Sequence, residues 1–297
     1  MFESAPLVVE APGDLALLTD AAEKAAAHWR LPAPTLIRVG ANGVFRSGDV
    51  ILRVGVTTAP MGKAIAFAQR LLACDVRVAA PAREDWLEHR GLSVSAWEWI
   101  DFDPDAPVDW ERVGASVSRV HAIDPSSVDH PLPFCGDFPW WDMSAMMPES
   151  DAVDETARRG MRRALDENRW WLTRTRAAPM TLCHGDVHPG NVLVAADGPV
   201  LIDWDLLCVG PAAWDMAPMR RWADRWDGRA GDYEAFRAGY GSDIDEDVLD
   251  AIAEMRLLVA TLMRLKRARL DPPHADEAWR RLAYWRGDPD APAWRPQ

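Results

Sequence analysis

The spacing of apolar and polar positions changes character twice in the first hundred residues. From Asp14 to Trp29, DLALLTDAAEKAAAHW sets apolar residues three and four apart among strong helix formers, which predicts a helix capped by Gly13 or Asp14 and ended by Pro32 and Pro34. The spacing then shortens to two. In TLIRVGANGVFRSGDVILRVG, β-branched and polar residues alternate and are interrupted at Asn42-Gly43 and Ser47-Gly48-Asp49, the turn chemistry of a three-stranded antiparallel meander. A helix over Met61 to Ala73 and short strands near Val76 to Val78 and Leu92 to Ile100 complete this region.

Beyond residue 100 the helical period dominates. Helices are predicted near Trp110 to His121, Glu155 to Arg176, Tyr233 to Tyr240, Glu246 to Arg269 and Asp276 to Trp285, interrupted only by a hairpin after Asn191. The expected fold class is therefore α+β: a small antiparallel-sheet lobe over residues 1–100 and a larger, mostly helical lobe over 101–297, with the Asp- and Pro-rich stretch Asp101 to Pro107 as the hinge. No repeat is present. Residues 129–151 read as a long irregular insertion.

Composition narrows the class. A chain of 297 residues, 48% of them apolar, has ample material for a core. It contains no apolar run of membrane-spanning length, and its opening MFESAPLVVEAPGD lacks the basic start and apolar centre of a secretory signal, so a soluble, cytoplasmic protein with no membrane partner is expected. A net charge of −13 repels nucleic acid and favours cationic partners. Cys74, Cys135, Cys183 and Cys208 form no CxxC pair, which argues against a disulfide framework and a zinc ribbon.

The densest chemistry lies in residues 183–205, CHGDVHPGNVLVAADGPVLIDWD. A metal site built on Cys183, His184 and His188 is disfavoured, because Gly185, Pro189 and Gly190 prevent the helix that would align them and no partner pair is visible. A self-capping polar turn accounts for part of the stretch. Order and spacing carry it further: Asp186 precedes Asn191 by the D-x-x-x-x-N interval of a kinase catalytic loop. Asn191 then opens a hairpin that brings Asp203 back beside it, so that an amide oxygen and a carboxylate address one point, as a hard Mg²⁺ requires.

With HGDVHPGN, IDWD and GPAAWDMA on the page, the chain resembles the aminoglycoside phosphotransferase and choline kinase family of kinase-like enzymes, and SAWEWI, SRVHAI and FRAGYG fall where that family would have them. The resemblance implies a two-lobed protein-kinase-like fold and transfer of the γ-phosphoryl of ATP or GTP, with Mg²⁺, to a hydroxyl of a small molecule. It implies that Asp186 orients or deprotonates the acceptor, that Asn191 and Asp203 bind the metal, that His184 and His188 shape the loop, and that Asp215 is the buried aspartate bonded to it. Asp205 is either a ligand to a second metal, a substrate contact or a solvated cap.

The chain departs from that pattern in its first half. None of the three lysines, Lys24, Lys63 and Lys266, lies on the strand VILRVG, which leaves Arg53 as the phosphate-binding cation or as a plain surface residue. The usual helix glutamate that pairs with such a cation is missing, since no acidic residue occurs from Val50 to Cys74, and Gln69 or a distant carboxylate must replace it. Gly40 and Gly43 remain as glycines for close approach to phosphate. Trp97, Glu98, Trp99 and Ile100 either offer backbone groups to adenine or simply end a buried strand. These gaps sustain a second reading, a nucleotide-binding pseudokinase or regulatory module; a metal-dependent phosphohydrolase is a third.

For the acceptor, acidic residues gather in two segments. Asp137, Asp142, Glu149, Asp151, Asp154 and Glu155 precede the loop, and Asp224 and Asp227 follow it; they suit a cationic amino sugar, aminoglycoside or amino alcohol, or else form a solvated surface. Of sixteen tryptophans, Trp140, Trp141, Trp222 and Trp226 fall in the same segments, while Trp170 and Trp171 read as core.

Overall fold

The computed structural model describes residues 14–40, 42–56, 61–128, 131–147, 153–270 and 275–295. In chain order the elements are α1 (Leu15–His28), β1 (Thr35–Val39), β2 (Gly43–Ser47), β3 (Val50–Gly55), α2 (Met61–Ala73), β4 (Leu87–His89), β5 (Leu92–Glu98) and α3 (Trp110–His121). There follow α4 (Met143–Met146), α5 (Glu155–Glu167), α6 (Trp171–Ala177), β6 (Thr181–Cys183), β7 (Val192–Ala195), β8 (Gly198–Leu201) and β9 (Cys208–Gly210). The chain ends with α7 (Ala213–Arg220), α8 (Trp222–Arg225), α9 (Asp232–Tyr240), α10 (Glu246–Leu270) and α11 (Ala275–Arg286).

Two compact units result. The first comprises residues 1–109, 126–131 and 190–205; the second comprises the remainder. The hairpin of β7 and β8, which the sequence division at residue 100 assigned to the second lobe, groups with the first unit. Two backbone bonds and a ring contact just after the hairpin explain why: Leu201 N–H donates to Arg77 O at 3.1 Å, Asp103 N–H donates to Val194 O at 3.0 Å, and the Trp204 ring meets Phe67 edge to face.

In the first unit, the Asp14 side chain caps α1 by accepting from Ala16 N–H at 2.9 Å, while Gly13 lies outside the described residues. The sheet order is β1-β2-β3-β5-β4, with every neighbouring pair antiparallel. Strand alternation sends Leu52 and Val54 into a core with Phe45, Val94 and the Leu18, Ala21, Ala22 and Ala25 face of α1. Arg53, between them, is thereby placed on the opposite face of a central strand. At the sheet edge β1 is exposed along its whole length.

The region around Val76 to Val78 makes an isolated bridge from Val78 to Leu201 instead of a strand, β4 was not anticipated, and β5 stops two residues before Ile100.

The second unit is helical. Glycines let its helices touch backbone to backbone: a Cβ on Gly114 of α3 would lie 2.1 Å from Phe236 O of α9, and one on Gly239 1.8 Å from Glu111 O. The predicted helix from Glu155 to Arg176 is two helices, because the Asn168 amide donates to Ala164 O at 2.9 Å and closes α5 before α6 begins. Residues 131–147 of the supposed insertion are packed, with Cys135, Phe138, Trp140 and Met143 buried and Phe134 bridged to Val209. Among the described residues no helix is long and apolar enough to cross a membrane.

The face assignment has a direct check. Leu52→Ala should lower stability in urea unfolding by about 2–5 kcal/mol, the cost of a core cavity, whereas Leu36→Ala on exposed β1 should change it by less than about 1 kcal/mol.

Candidate active site

In the first unit, the Arg53 guanidinium is ion-paired with the Asp205 carboxylate and its Nη2 lies 3.6 Å from Asp203 Oδ1. The Asn42 amide donates to the same Asp205 oxygen at 3.3 Å. Burial alone would lower the Arg53 pKa, but Asp205 and Asp203 outweigh it and raise it. The partner missing from α2 is thus supplied from after β8, while Gln69 is exposed.

Asn191 is buried, and its carbonyl accepts from Ile202 N–H at 3.0 Å, so the hairpin ladder runs on to the residue before Asp203. Asp203 has a left-handed backbone, φ 65°, a conformation that non-glycine residues adopt rarely and that clusters at functional sites. Amide and carboxylate oxygens without nitrogen or sulfur form a donor set suited to Mg²⁺ and unsuited to soft metals.

Gly43 faces the α1 core, where an added Cβ would meet Phe45 and Leu18 side chains at 3.0 and 3.2 Å, so packing alone accounts for this glycine. Gly40 N–H donates to Asn42 O at 3.0 Å. Trp97, the penultimate residue of β5, places its indole N–H on Ser95 Oγ at 2.8 Å. Glu98 N–H goes to Ala80 O at 2.8 Å and Trp99 N–H to Asp49 O at 2.9 Å, so two of the four candidate adenine-binding amides are engaged within the protein.

In the second unit, β6 pairs with β9 and releases the chain into the loop that starts at His184. Asp215, fully buried on α7, accepts from His184 N–H at 2.8 Å on Oδ2 and from Gly185 N–H at 2.7 Å on Oδ1. His121 Nε2 lies 3.1 Å from Oδ2. Since a carboxylate only accepts, His121 donates through Nε2 and its Nδ1 takes the Tyr240 hydroxyl at 3.0 Å. Burial pushes the Asp215 carboxyl up; the His121 hydrogen bond, His184 and the loop amides outweigh it and hold the carboxyl below its usual range. Gly185 has φ 96°, and a Cβ there would meet Leu206 O at 2.1 Å, so the turn admits glycine alone.

Asp186 follows immediately. Its own N–H donates to His184 Nδ1 at 3.3 Å, and its carboxylate lies 3.4 Å from His188 Nε2 and 3.2 Å from Arg256 Nη1. Burial would raise its pKa, but His188, Arg256 and His184 prevail, and the group is held far below the ordinary carboxylate value. Cys183 and His188 point apart, the thiol to Gly210 O and the imidazole stacked on Trp222, so the Cys-His metal reading fails.

Trp222 forms part of the wall of a cleft of about 770 Å³ in the same unit, with Trp170, Tyr233, Asp224, Asp232 and Glu254 among its other residues. Of the carboxylates expected there that are among the described residues, Asp224 alone lines it. Asp142 and Asp154 cap helices, Asp137 pairs with Arg176 and Glu155 with Arg158, and Glu149 and Asp151 lie outside the described residues. Trp140 is buried against Phe138, Trp141 packs on Trp214, and Trp226 stacks behind Trp222. Trp170, expected in the core, lines the cleft beneath Arg174.

Sequence reasoning missed Arg256 and Glu254. The available signal was a lone charge at 256 inside the apolar run from Met255 to Met263, which demands a buried partner.

A family model described as "Phosphotransferase enzyme family" matches residues 44–258. Among solved structures, a spectinomycin phosphotransferase in complex with ADP and spectinomycin is similar at 16% identity, TM-score 0.63, covering 86% of this chain and 89% of that one. A choline/ethanolamine kinase family protein from Mesorhizobium loti is similar at 20% identity, TM-score 0.64, covering 93% and 96%. An amicoumacin kinase in complex with AMP-PNP, Ca²⁺ and its ligand is similar at 14% identity, TM-score 0.64, covering 86% and 88%. Curated protein sequences show no significant match. These likenesses establish the kinase-like α+β fold.

The Asp215 network predicts both a cost and a pH dependence. Asp215→Ala should destabilise by about 3–5 kcal/mol in urea unfolding, because it leaves two buried amides and His121 unpaired. Because the folded pKa of Asp215 is depressed, its contribution is complete above the unfolded carboxylate value and disappears as pH falls toward the folded value; Asp215→Asn should flatten that part of the stability profile.

Proposed function

We propose a specific reaction for this chain, which belongs to the phosphotransferase enzyme family: transfer of the γ-phosphoryl group of ATP or GTP to a hydroxyl of a small, polar, cationic acceptor. The observation that carries this reading is the ordered triple Asp186, Asn191 and Asp203, a loop carboxylate held ionised and an oxygen-only donor pair, together with a strand arginine facing the same hairpin's carboxylates.

Each residue has a task in this reading. Asp186 accepts the hydrogen bond of the acceptor hydroxyl and orients its lone pair toward phosphorus. A loose transition state places little demand on early proton removal, so a weakly basic carboxylate serves as well as a strong one. Asn191 and Asp203 would hold Mg²⁺, which neutralises charge on the triphosphate when bound. Arg53 exchanges Asp205 for phosphate oxygens, a role its planar fork fits. The cleft beside Trp222, with aromatic faces and Asp224, Asp232 and Glu254, suits an amine-bearing acceptor. The similar structures include one that holds spectinomycin and one of a choline/ethanolamine kinase family, and all three molecules named there carry amine or ammonium groups.

A second reading, nucleotide binding without transfer, draws on the missing acidic residue between Val50 and Cys74 and on the incomplete glycine loop around Gly40 and Gly43.

Thermal unfolding with ATP and GTP, each with and without Mg²⁺, separates binding from its absence. At a hundredfold excess over the dissociation constant the expected stabilisation is about 2.7 kcal/mol and magnesium-dependent; no shift with either nucleotide would refute a nucleotide site. Asp186→Asn should abolish phosphoryl transfer to an accepted amino alcohol or amino sugar while leaving Mg-ATP affinity within about threefold, and unchanged turnover would remove Asp186 from the chemistry. Arg53→Ala should weaken ATP binding while leaving adenosine affinity nearly intact, measured by calorimetry; equal losses would exclude a phosphate contact.

A further inference from the structure

Arg256 projects from α10 onto the loop, seventy residues from its target in sequence. Nη1 donates to Asp186 Oδ1 at 3.2 Å, while Nη2 donates to Gly185 O and, at 3.4 Å, to Trp214 O. The guanidinium plane lies over the Trp214 ring at 4.9 Å and near the Trp141 ring at 5.9 Å. A mostly buried cation with its fork divided among a carboxylate and two carbonyls is held in position and orientation.

The two oxygens of Asp186 are thereby made unequal. Oδ1 is committed to Arg256, whereas Oδ2 lies on the side of His188, whose ring stacks at 5.4 Å on Trp222 of the cleft wall. The charged and titratable groups facing Asp186 are Arg256 from α10 and His184 and His188 from its own loop, with Asp215 of α7 behind the loop amides.

We propose that Arg256 is a positioning residue for phosphoryl transfer: by holding Oδ1 of Asp186 and the Gly185 carbonyl together, it presents Oδ2 toward the cleft as the single acceptor of the substrate hydroxyl. The inference rests on the kinase reading for its function, but the clamp itself is a property of the protein without ligands. It favours orientation over basicity. The arginine that aims the carboxylate also weakens it as a proton acceptor, a balance suited to a reaction in which the hydroxyl proton departs late.

The test uses the full chain with Arg256→Met and Arg256→Lys, and follows the ¹³C carboxyl resonance of Asp186, assigned by its loss in Asp186→Asn. Arg256→Met should raise the Asp186 titration midpoint by about one pH unit or more, with Arg256→Lys between it and the parent, since an ammonium keeps the charge but not the fork. The Mg-ATP thermal shift should be unchanged in both. With whichever of choline, ethanolamine or spectinomycin the parent phosphorylates, kcat should fall about ten- to a hundredfold in Arg256→Met with KM for ATP unchanged.

An unchanged midpoint in a folded variant would overturn the clamp, and an unchanged kcat would overturn its positioning role. If Arg256→Met fails to fold, the midpoint and kcat of Arg256→Lys decide the matter in the same way. A parent protein that shows no Mg-ATP shift and no turnover, yet an Arg256-dependent midpoint, would refute the kinase reading and the positioning role while leaving the clamp standing.

Discussion

A single buried carboxylate, Asp215, organises the loop on which the proposed chemistry depends. It receives two consecutive backbone amides and an imidazole, and a carboxylate has the acceptor sites to satisfy all three donors in an apolar interior. The chain then turns sharply at Gly185, whose left-handed backbone and close approach to Leu206 O leave no room for a side chain. Asp186 then emerges from a fixed base, and what remains is to orient its side chain, which Arg256 does from another helix. Burial, the turn and the arginine form one dependency, running from an interior charge outward to a partly exposed one.

The first unit solves a different problem. A cation on β3 faces away from the α1 core, and without a neighbour it would be half-buried and uncompensated. The short strands β7 and β8 dock against the segment around Arg77 and Asp103 and carry Asp203 and Asp205 to it. The carboxylates that neutralise Arg53 therefore arrive through tertiary packing of a hairpin, and α2 is relieved of any charged role. Asp205 has a defined partner in this arrangement, which gives the second aspartate of IDWD a structural purpose in the protein without ligands.

Legibility in the sequence followed the range of the interactions involved. The meander was readable because Asn42-Gly43 and Ser47-Gly48-Asp49 act locally, and α2 and α3 were readable because each has one apolar stripe. Helix α7 was not, since Ala213 to Met219 are buried throughout and leave no polar face to reveal a period. The break at Asn168 was hidden because an asparagine in a helical pattern gives no warning that its side chain will cap the preceding turn. The spacing of Asp186, Asn191 and Asp203 was visible, but the partners of Arg53 and Asp186 lie 152 and 70 residues away, beyond any pattern of local spacing.

Helix α10 carries one more consequence. Glu254 lines the cleft and Arg256 grips the loop, and two residues along an α-helix are about 200° apart around its axis. The helix therefore contributes to the cleft wall through one face and holds the loop through another. Packed interiors move as blocks rather than yielding atom by atom. One helix backbone thus ties a wall of the cleft to the grip on the loop, and the spacing between the two is set by α10 itself.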